Sequence, residues 1–283
     1  MSATVPSAIL SEKDFRSVCD EIYRKIGVYF EDCKLSFIQK RLEKRMALLG
    51  LETFDEYSFL LRFQDKDGRE MQELTNLVTT NETYMFREFD QLQAFAEHCL
   101  PQVLKAKEAK GDSSLRIWSA GCSSGEEPYT LAMILREVMY DFDRWKVEIV
   151  ATDIDEVRLR MAQRAVYDER AVKEVPAEYL ARHISQLSGG GYAVRPETAR
   201  CVEFRHLNLW DRLAMRRMQG FDFVFCRNVL IYFDDKSRRT VVDNFYNSLV
   251  PGGFIFLGHA ESVGRITTAF QLLRAGKHLV YRK

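Results

Sequence analysis

The sequence predicts an α/β protein: a mostly parallel sheet covered by helices on both faces, preceded by a small all-α domain. Two patterns carry this reading. Up to about residue 80 the apolar residues recur only at helical spacing. From Leu115 onward, short runs of strand-forming residues alternate with helix-length amphipathic segments, the signature of strands joined by helical crossovers.

The elements follow in order. Ser11 and Asp14 resemble a helix-opening cap, Phe15, Val18, Ile22 and Ile26 follow at helical spacing, and Gly27 can end the helix. A second helix runs from Lys34 to Leu49, with Leu35, Ile38, Leu42, Met46 and Leu49 as its apolar stripe and Gly50 as its stop. Thr53 and Glu56 frame a capping box ahead of Tyr57, Leu60 and Leu61, and Met71, Leu74, Leu77 and Val78 mark a further helix over 70–78. A bundle of this size is short for an independent core.

LRIWSA (115–120) is the first buried strand, followed by GCSSGEEPY and a helix with Leu131, Ala132, Ile134, Leu135 and Val138 inward. VEIVATD (147–153) and FDFVFC (221–226) are further strands, with residues 155–165 helical between them. A helix from about 236 to 249, a Pro251-Gly252-Gly253 turn, the strand FIFLG (254–258) and a terminal strand HLVYR (278–282) complete the pattern. The stretch 183–209 breaks the rhythm with three consecutive glycines and short alternating pieces, which predicts a small antiparallel β subdomain inserted at 183–205. Right-handed crossovers place the loops that follow the strands along one edge of the sheet, where ligands bind.

Composition narrows the function. The 283 residues carry 41 basic and 41 acidic side chains, a balance unsuited to a chain devoted to gripping phosphate backbone. No run of about eighteen apolar residues occurs, and the start lacks the basic-then-apolar pattern of a signal peptide, so a cytoplasmic protein without membrane insertion is expected. Cys19, Cys33, Cys99, Cys122, Cys201 and Cys226 are scattered without a C-x-x-C pair, which predicts reduced thiols and no metal site. The five histidines, His98, His183, His206, His259 and His278, are dispersed and form no catalytic cluster.

Four segments carry candidate chemistry. GCSSG (121–125) stands between a strand and a helix, where glycines permit a tight turn and helix amides face a ligand; a plain structural turn is the other reading. Asp153 ends the second strand, where a carboxylate can accept both ribose hydroxyls. Glu126 and Glu127 follow the loop at once and would repel a pyrophosphate, so a cationic, phosphate-free ligand such as S-adenosylmethionine fits better; alternatively they only complement the helix dipole. In CRNVLIYF (226–233), Asn228 offers an amide to a ligand and Tyr232 a flat wall, or the two are a turn cap and a core ring. Asn208 in HLNLW suits the rim of an adenine slot. In TTNETYMFRE (79–88), Asn81, Thr83 and Arg87 are dense polar chemistry, or helix caps and a solvated arginine. Finally, Lys34, Lys40, Arg41, Lys44 and Arg45 make a basic helix face offset only by Glu43, either solvated or docking an acidic protein.

Taken in this order, TTNETYMFRE, WSAGCSSGEEPY, ATDID, LNL and CRNVLIYFD resemble the chemotaxis receptor methyltransferases, the CheR family, from about residue 10 onward. The resemblance implies a receptor-docking helical domain (1–80) and a Rossmann-like S-adenosylmethionine-dependent methyltransferase domain (81–283) that methylates glutamate side chains of bacterial chemoreceptors and releases S-adenosylhomocysteine. It carries cofactor contacts onto Asn81, Thr83, Arg87, Gly121, Glu127, Asp153, Asn208, Leu209, Asn228 and Val229, and puts Tyr232 near the transferred methyl group. Arg41, Lys44 and Arg45 match the family's receptor-facing helix, while Ala47 stands where a cation is expected. The loop at Gly189 to Gly191 is shorter than in members that tether to a receptor's C-terminal pentapeptide, so tethering is not expected. A monomer without nucleic-acid partners is expected. Two rivals stay open: a non-catalytic cofactor-binding sensor, and a methyltransferase of another substrate such as nucleic acid. The second is disfavoured by the missing paired prolines and basic excess.

Overall fold

The computed structural model describes residues 12–30, 35–264 and 266–283. Ser11, Cys33 and Lys34, each named above, lie outside them. The chain divides into two compact units, Met1–Thr80 with Tyr232–Ser237, and Asn81–Ile231 with Arg238–Lys283. The sequence put residues 232–237 with the catalytic part. They group instead with the helices because Tyr29 donates its amide to Tyr232 O at 2.9 Å, Val28 bridges Phe233, and Tyr23 Oη donates to Asp234 Oδ2 at 3.0 Å.

The helical unit comprises α1 (Glu12–Ile26), α2 (Leu35–Leu49), α3 (Phe54–Phe59), a π-helical turn at Leu60–Gln64, and α4 (Arg69–Val78). Phe15, Val18, Ile22, Ile38, Leu42, Met46, Tyr57 and Leu74 form its core, the stripes that helical spacing picks out. α1 ends at Gly27, which adopts φ 74° and donates to Tyr23 O at 2.8 Å. α3 opens on the full capping box: Glu56 N donates to Thr53 Oγ1, and Thr53 N to Glu56 Oε2. Leu49, assigned to the α2 stripe, is exposed, because the chain turns away at Gly50.

The second unit begins with α5 (Phe89–Ala94), a π-helical turn (Phe95–Cys99) and α6 (Leu100–Glu108). β1 (Ser114–Ala120), α7 (Glu126–Val138), β2 (Lys146–Asp153) and α8 (Glu156–Arg164) follow, then β3 (Val166–Tyr167), α9 (Glu169–Val172), α10 (Ala177–His183), β4 (Ile184–Gln186), β5 (Tyr192–Val194) and α11 (Pro196–Ala199). β6 (Val202–His206), α12 (Arg212–Met215), β7 (Phe221–Cys226), α13 (Asp235–Ser248), β8 (Leu249–Leu257), β9 (Gln271–Ala275) and β10 (His278–Arg282) complete the order.

Seven strands make the main sheet in the order β6-β2-β1-β7-β8-β10-β9. The first five are mutually parallel, and β10 runs antiparallel to both its neighbours, β8 and β9. Phe95 meets Phe223, Phe225 and Phe256 edge-on on one face, with centroids 5.0, 5.2 and 5.8 Å away. Trp118, one residue out of phase, packs on Phe245 and donates Nε1–H to Thr152 Oγ1 at 2.9 Å. β6 is an edge strand of five residues whose Glu203 and Arg205 are exposed and paired at 2.6 Å.

Three expectations need correction here. The small antiparallel sheet, β3-β5-β4, recruits residues 166–167 from outside 183–205, and 202–205 belong to the main sheet, where β6 pairs with β2. Pro251-Gly252-Gly253 is not a turn between elements but part of β8: Gly252 and Gly253 exchange hydrogen bonds with the Lys283 backbone, both at 2.9 Å. Gly253 also lies so near Asp222 O that a Cβ would approach it to 2.9 Å, so the strand can continue only without a side chain there. Val138, at the last position of α7, is exposed rather than inward. Among the described residues no helix is long and apolar enough to cross a membrane.

Candidate active site

From β1 the chain steps outward to β2 and β6, then returns to β7 on the other side of β1. Loops leaving β1 and β7 therefore depart in opposite directions, which opens a crevice at the carboxyl ends of the strands. Gly121 follows β1 with φ +80°, and both it and Cys122 donate amides to Thr152 O, at 2.8 and 2.9 Å. A Cβ at Gly121 would collide with Val229 Cγ2, and one at Gly125 would sit 2.8 Å from Ala162 Cβ. The two glycines thus serve close packing of the loop on its neighbours, a different reason from the ligand approach inferred from sequence.

The carboxylates sort into roles. Asp153 is buried at the end of β2; its Oδ2 accepts from Ser123 N at 2.7 Å and its Oδ1 from Asp155 N at 2.8 Å. Burial raises its pKa, and these amides oppose the rise. The Ile154 amide also bonds this carboxylate, whose roughly four acceptor sites leave room for a further hydroxyl donor. Asn81 joins the same cluster, with Nδ2 donating to Asp155 Oδ2 at 2.9 Å and Ser123 Oγ donating to Asn81 Oδ1 at 3.3 Å.

Glu126 turns inward at the start of α7, and its Oε1 accepts from Ser124 Oγ at 2.9 Å, so the helix-terminus reading fits it. Glu127 differs. Its Oε1 accepts from Ser119 Oγ at 2.7 Å and its Oε2 lies 3.3 Å from Arg227 Nη1. Burial pushes its pKa up, with Arg227 and Ser119 pulling it back. Arg227 is almost fully buried; Nη2 also meets Glu88 Oε2 at 3.2 Å and donates to the backbone oxygen of Arg87.

Asn228 stands in the left-handed region at φ 61°, and its amide donates to Glu261 Oε2 at 2.8 Å, an oxygen that also accepts from Gly258 N at 2.7 Å. Asn208 uses Oδ1 to accept from Trp210 N at 2.9 Å, and Leu209 beside it is buried. This segment is tied to the site by Leu207 N, which donates to Asp153 O at 3.0 Å. Thr83 and Arg87 are half-buried; Arg87 Nη1 donates to Glu82 O at 2.7 Å, and its guanidinium lies 5.8 Å from the Tyr84 ring centroid. Asn81, Gly121, Glu127, Asp153, Asn208, Leu209, Asn228 and Val229 therefore gather near the ends of β1, β2, β6 and β7, and Arg87 is linked to them through its backbone oxygen on Arg227. Tyr232 belongs to the helical unit, where its hydroxyl donates to Thr80 O at 3.3 Å.

Sequence reasoning missed Glu88, Arg227 and Glu261. Arg227 and Glu88 adjoin Asn228 and Arg87, so adjacency to predicted site residues was their only signal; Glu261 had none. The basic face of α2 also changes character. Arg45 forms a double contact with the buried Glu70 at 2.9 and 2.5 Å, and Arg41 Nη1 donates to Leu77 O and, at 3.4 Å, to Thr79 O. Only Lys40 and Lys44 of the described cations there are fully exposed, so the expectation that Glu43 alone offsets them is corrected by Glu70.

The donor set suits S-adenosylmethionine: one carboxylate with lone pairs for ribose hydroxyls, a second for an ammonium, and amide groups beside both. Among the described residues no cluster of His, Cys, Asp and Glu could hold a metal ion. Comparison with known proteins points to the same methyl donor. The family described as "CheR methyltransferase, SAM binding domain" matches residues 81–279, and "CheR methyltransferase, all-alpha domain" matches 13–79. "Chemotaxis protein methyltransferase 2" of Vibrio cholerae is 38% identical over 275 residues, covering 97% of this chain and 94% of that protein. Chemotaxis protein methyltransferases of Borreliella burgdorferi and Escherichia coli are 34% and 35% identical, covering 86% and 93% of this chain and 85% and 89% of theirs.

Proposed function

The chain belongs to the CheR methyltransferase family, and from that premise we propose that it transfers the methyl group of S-adenosylmethionine to glutamate side chains of bacterial chemoreceptors, forming methyl esters in chemotactic adaptation. The bound donor supplies an electrophilic methyl carried on a sulfonium. Asp153 accepts the ribose hydroxyls, Glu127 pairs with the ammonium, and Asn208 with Leu209 forms the adenine wall. Asn81 and Asn228 hold the remaining polar edges, with Gly121 and Val229 closing the loops around them.

A glutamate nucleophile is already ionised near neutral pH, so the chain need not supply a general base. Its contribution is alignment and exclusion of water, worth several kcal/mol in principle. Arg87 orients the incoming carboxylate and does not become covalently attached. The observation that best supports this reading is the pair of acidic side chains, Asp153 buried at the end of β2 and Glu127 in the first turn of α7, where a phosphate-bearing cofactor needs donors.

The decisive experiment is tritium transfer from labelled donor to receptor-containing membranes. Base-labile counts in the receptor are expected. Donor binding without transfer would leave a sensor, and counts in nucleic acid would replace the substrate class. Within the reaction, Arg87→Ala should lower turnover at saturating donor by about 100-fold or more, beyond any loss of donor affinity. Near-wild-type turnover in that variant would remove the role given to Arg87.

A further inference from the structure

Arg227 is a buried guanidinium with only 4% of its side chain exposed, and it touches two carboxylates, Glu127 at 3.3 Å and Glu88 at 3.2 Å. One cation facing two anions leaves a net negative charge in the cluster. Without Glu88, Arg227 would neutralise Glu127 outright, and the ammonium of a bound amino acid would find no counter-charge. The backbone is bent to bring Glu88 there: Phe86 and Glu88 have φ of 59° and 56°, a left-handed conformation costly to non-glycine residues and kept only where the surroundings impose it. The Arg227 guanidinium also grips the Arg87 backbone oxygen, which fixes the segment from the same side.

We propose that Glu88 is a positioning residue that occupies Arg227 so that Glu127 keeps its charge for the amino-acid end of the donor. The inference rests on the reading of Glu127 as the ammonium partner given above. It separates two parts of the ligand: the nucleoside, held by Asp153 and Asn208, and the amino-acid tail, governed by the Glu127–Arg227–Glu88 row.

Two ligands isolate those parts. S-adenosylhomocysteine carries the tail, and 5′-methylthioadenosine has the same nucleoside without it. Calorimetry on the full chain should show that Glu88→Gln weakens S-adenosylhomocysteine on the order of tenfold, as one charge acting across roughly 10 Å at an effective dielectric near 20 would. Affinity for 5′-methylthioadenosine should be unchanged, and Glu88→Asp, which keeps the charge, should restore most of the loss. Equal weakening of both ligands would make Glu88 merely structural and overturn the proposal. So would normal S-adenosylhomocysteine binding in Glu88→Gln when Glu127→Gln loses it selectively, a result that leaves the reading of Glu127 standing. A wild-type chain that binds neither ligand overturns the donor reading and this inference together.

Discussion

Gly121 shows how much can turn on one missing side chain. Its φ of +80° disfavours any L-residue, and its Cβ would collide with Val229 Cγ2. Gly121→Ala should cost about 1–3 kcal/mol by thermal unfolding. Adding Val229→Ala should recover part of that loss, because the collision disappears while the backbone cost stays. Independent, additive losses in the double variant would rule out the steric account. The buried carboxylates make a second prediction. Burial raises Glu127 above its ordinary 4.5 and Asp153 above 3.8, so each stabilises the ligand-free fold fully below those values and loses that contribution as pH rises through the raised ones. Donor binding needs the ionised forms and runs the other way. Affinity for S-adenosylhomocysteine should therefore strengthen as pH rises through the raised values; a flat profile in calorimetry across the acid range would exclude both carboxylates from the site. A carboxylate ending a strand made Asp153 legible in the sequence, and a carboxylate directly after the glycine loop made Glu127 so. The partners that decide their charge were not, since Arg227 lies 100 residues from Glu127 and no local pattern links them.

At the scale of elements, α2 divides into a face that folds and a face that is free. Arg45 holds the buried Glu70, whose Oε1 also accepts from Tyr57 Oη at 2.7 Å, so Arg45→Ala should destabilise the helical unit by about 1–3 kcal/mol. Lys40→Glu with Lys44→Glu should leave the unfolding temperature within the range of ordinary surface changes, about 0.5 kcal/mol. It should, however, reduce methylation of receptor-containing membranes without changing donor affinity. Should Lys40 and Lys44 prove silent in that assay, receptor docking by this helix is wrong. The helix itself was readable because its stripe and Gly50 are local signals; its division of labour was not, because Glu70 arrives from α4. The same logic explains the other misreadings. Pro251-Gly252-Gly253 has turn composition yet stays in β8 through hydrogen bonds to Lys283, and β3 is too short to announce itself before β5 pairs with it. The π-turned segment from α5 to α6 went unread, since its periodicity shifts at Phe95–Cys99 and Pro101 looks like a stop.

Within the second unit as a whole, the alternation of strands and helices gave the parallel sheet and therefore the edge on which the site had to lie. Strand order is a non-local property, and the reversal at β1 and β7 that creates the crevice follows from pairings such as Ile117 with Phe223. β6 closes one flank of that sheet, and its brevity and its clasped Glu203 and Arg205 matter beyond the site. An open flank of backbone amides and carbonyls invites another molecule to add its own strand, and charge on a very short strand discourages that. Concentrated wild-type protein should stay clear on standing, whereas Glu203→Val with Arg205→Val should scatter light as molecules stack flank to flank into fibres. Glu203 and Arg205 would then guard the flank against polymerisation, a task separate from the chemistry at the carboxyl ends of the strands.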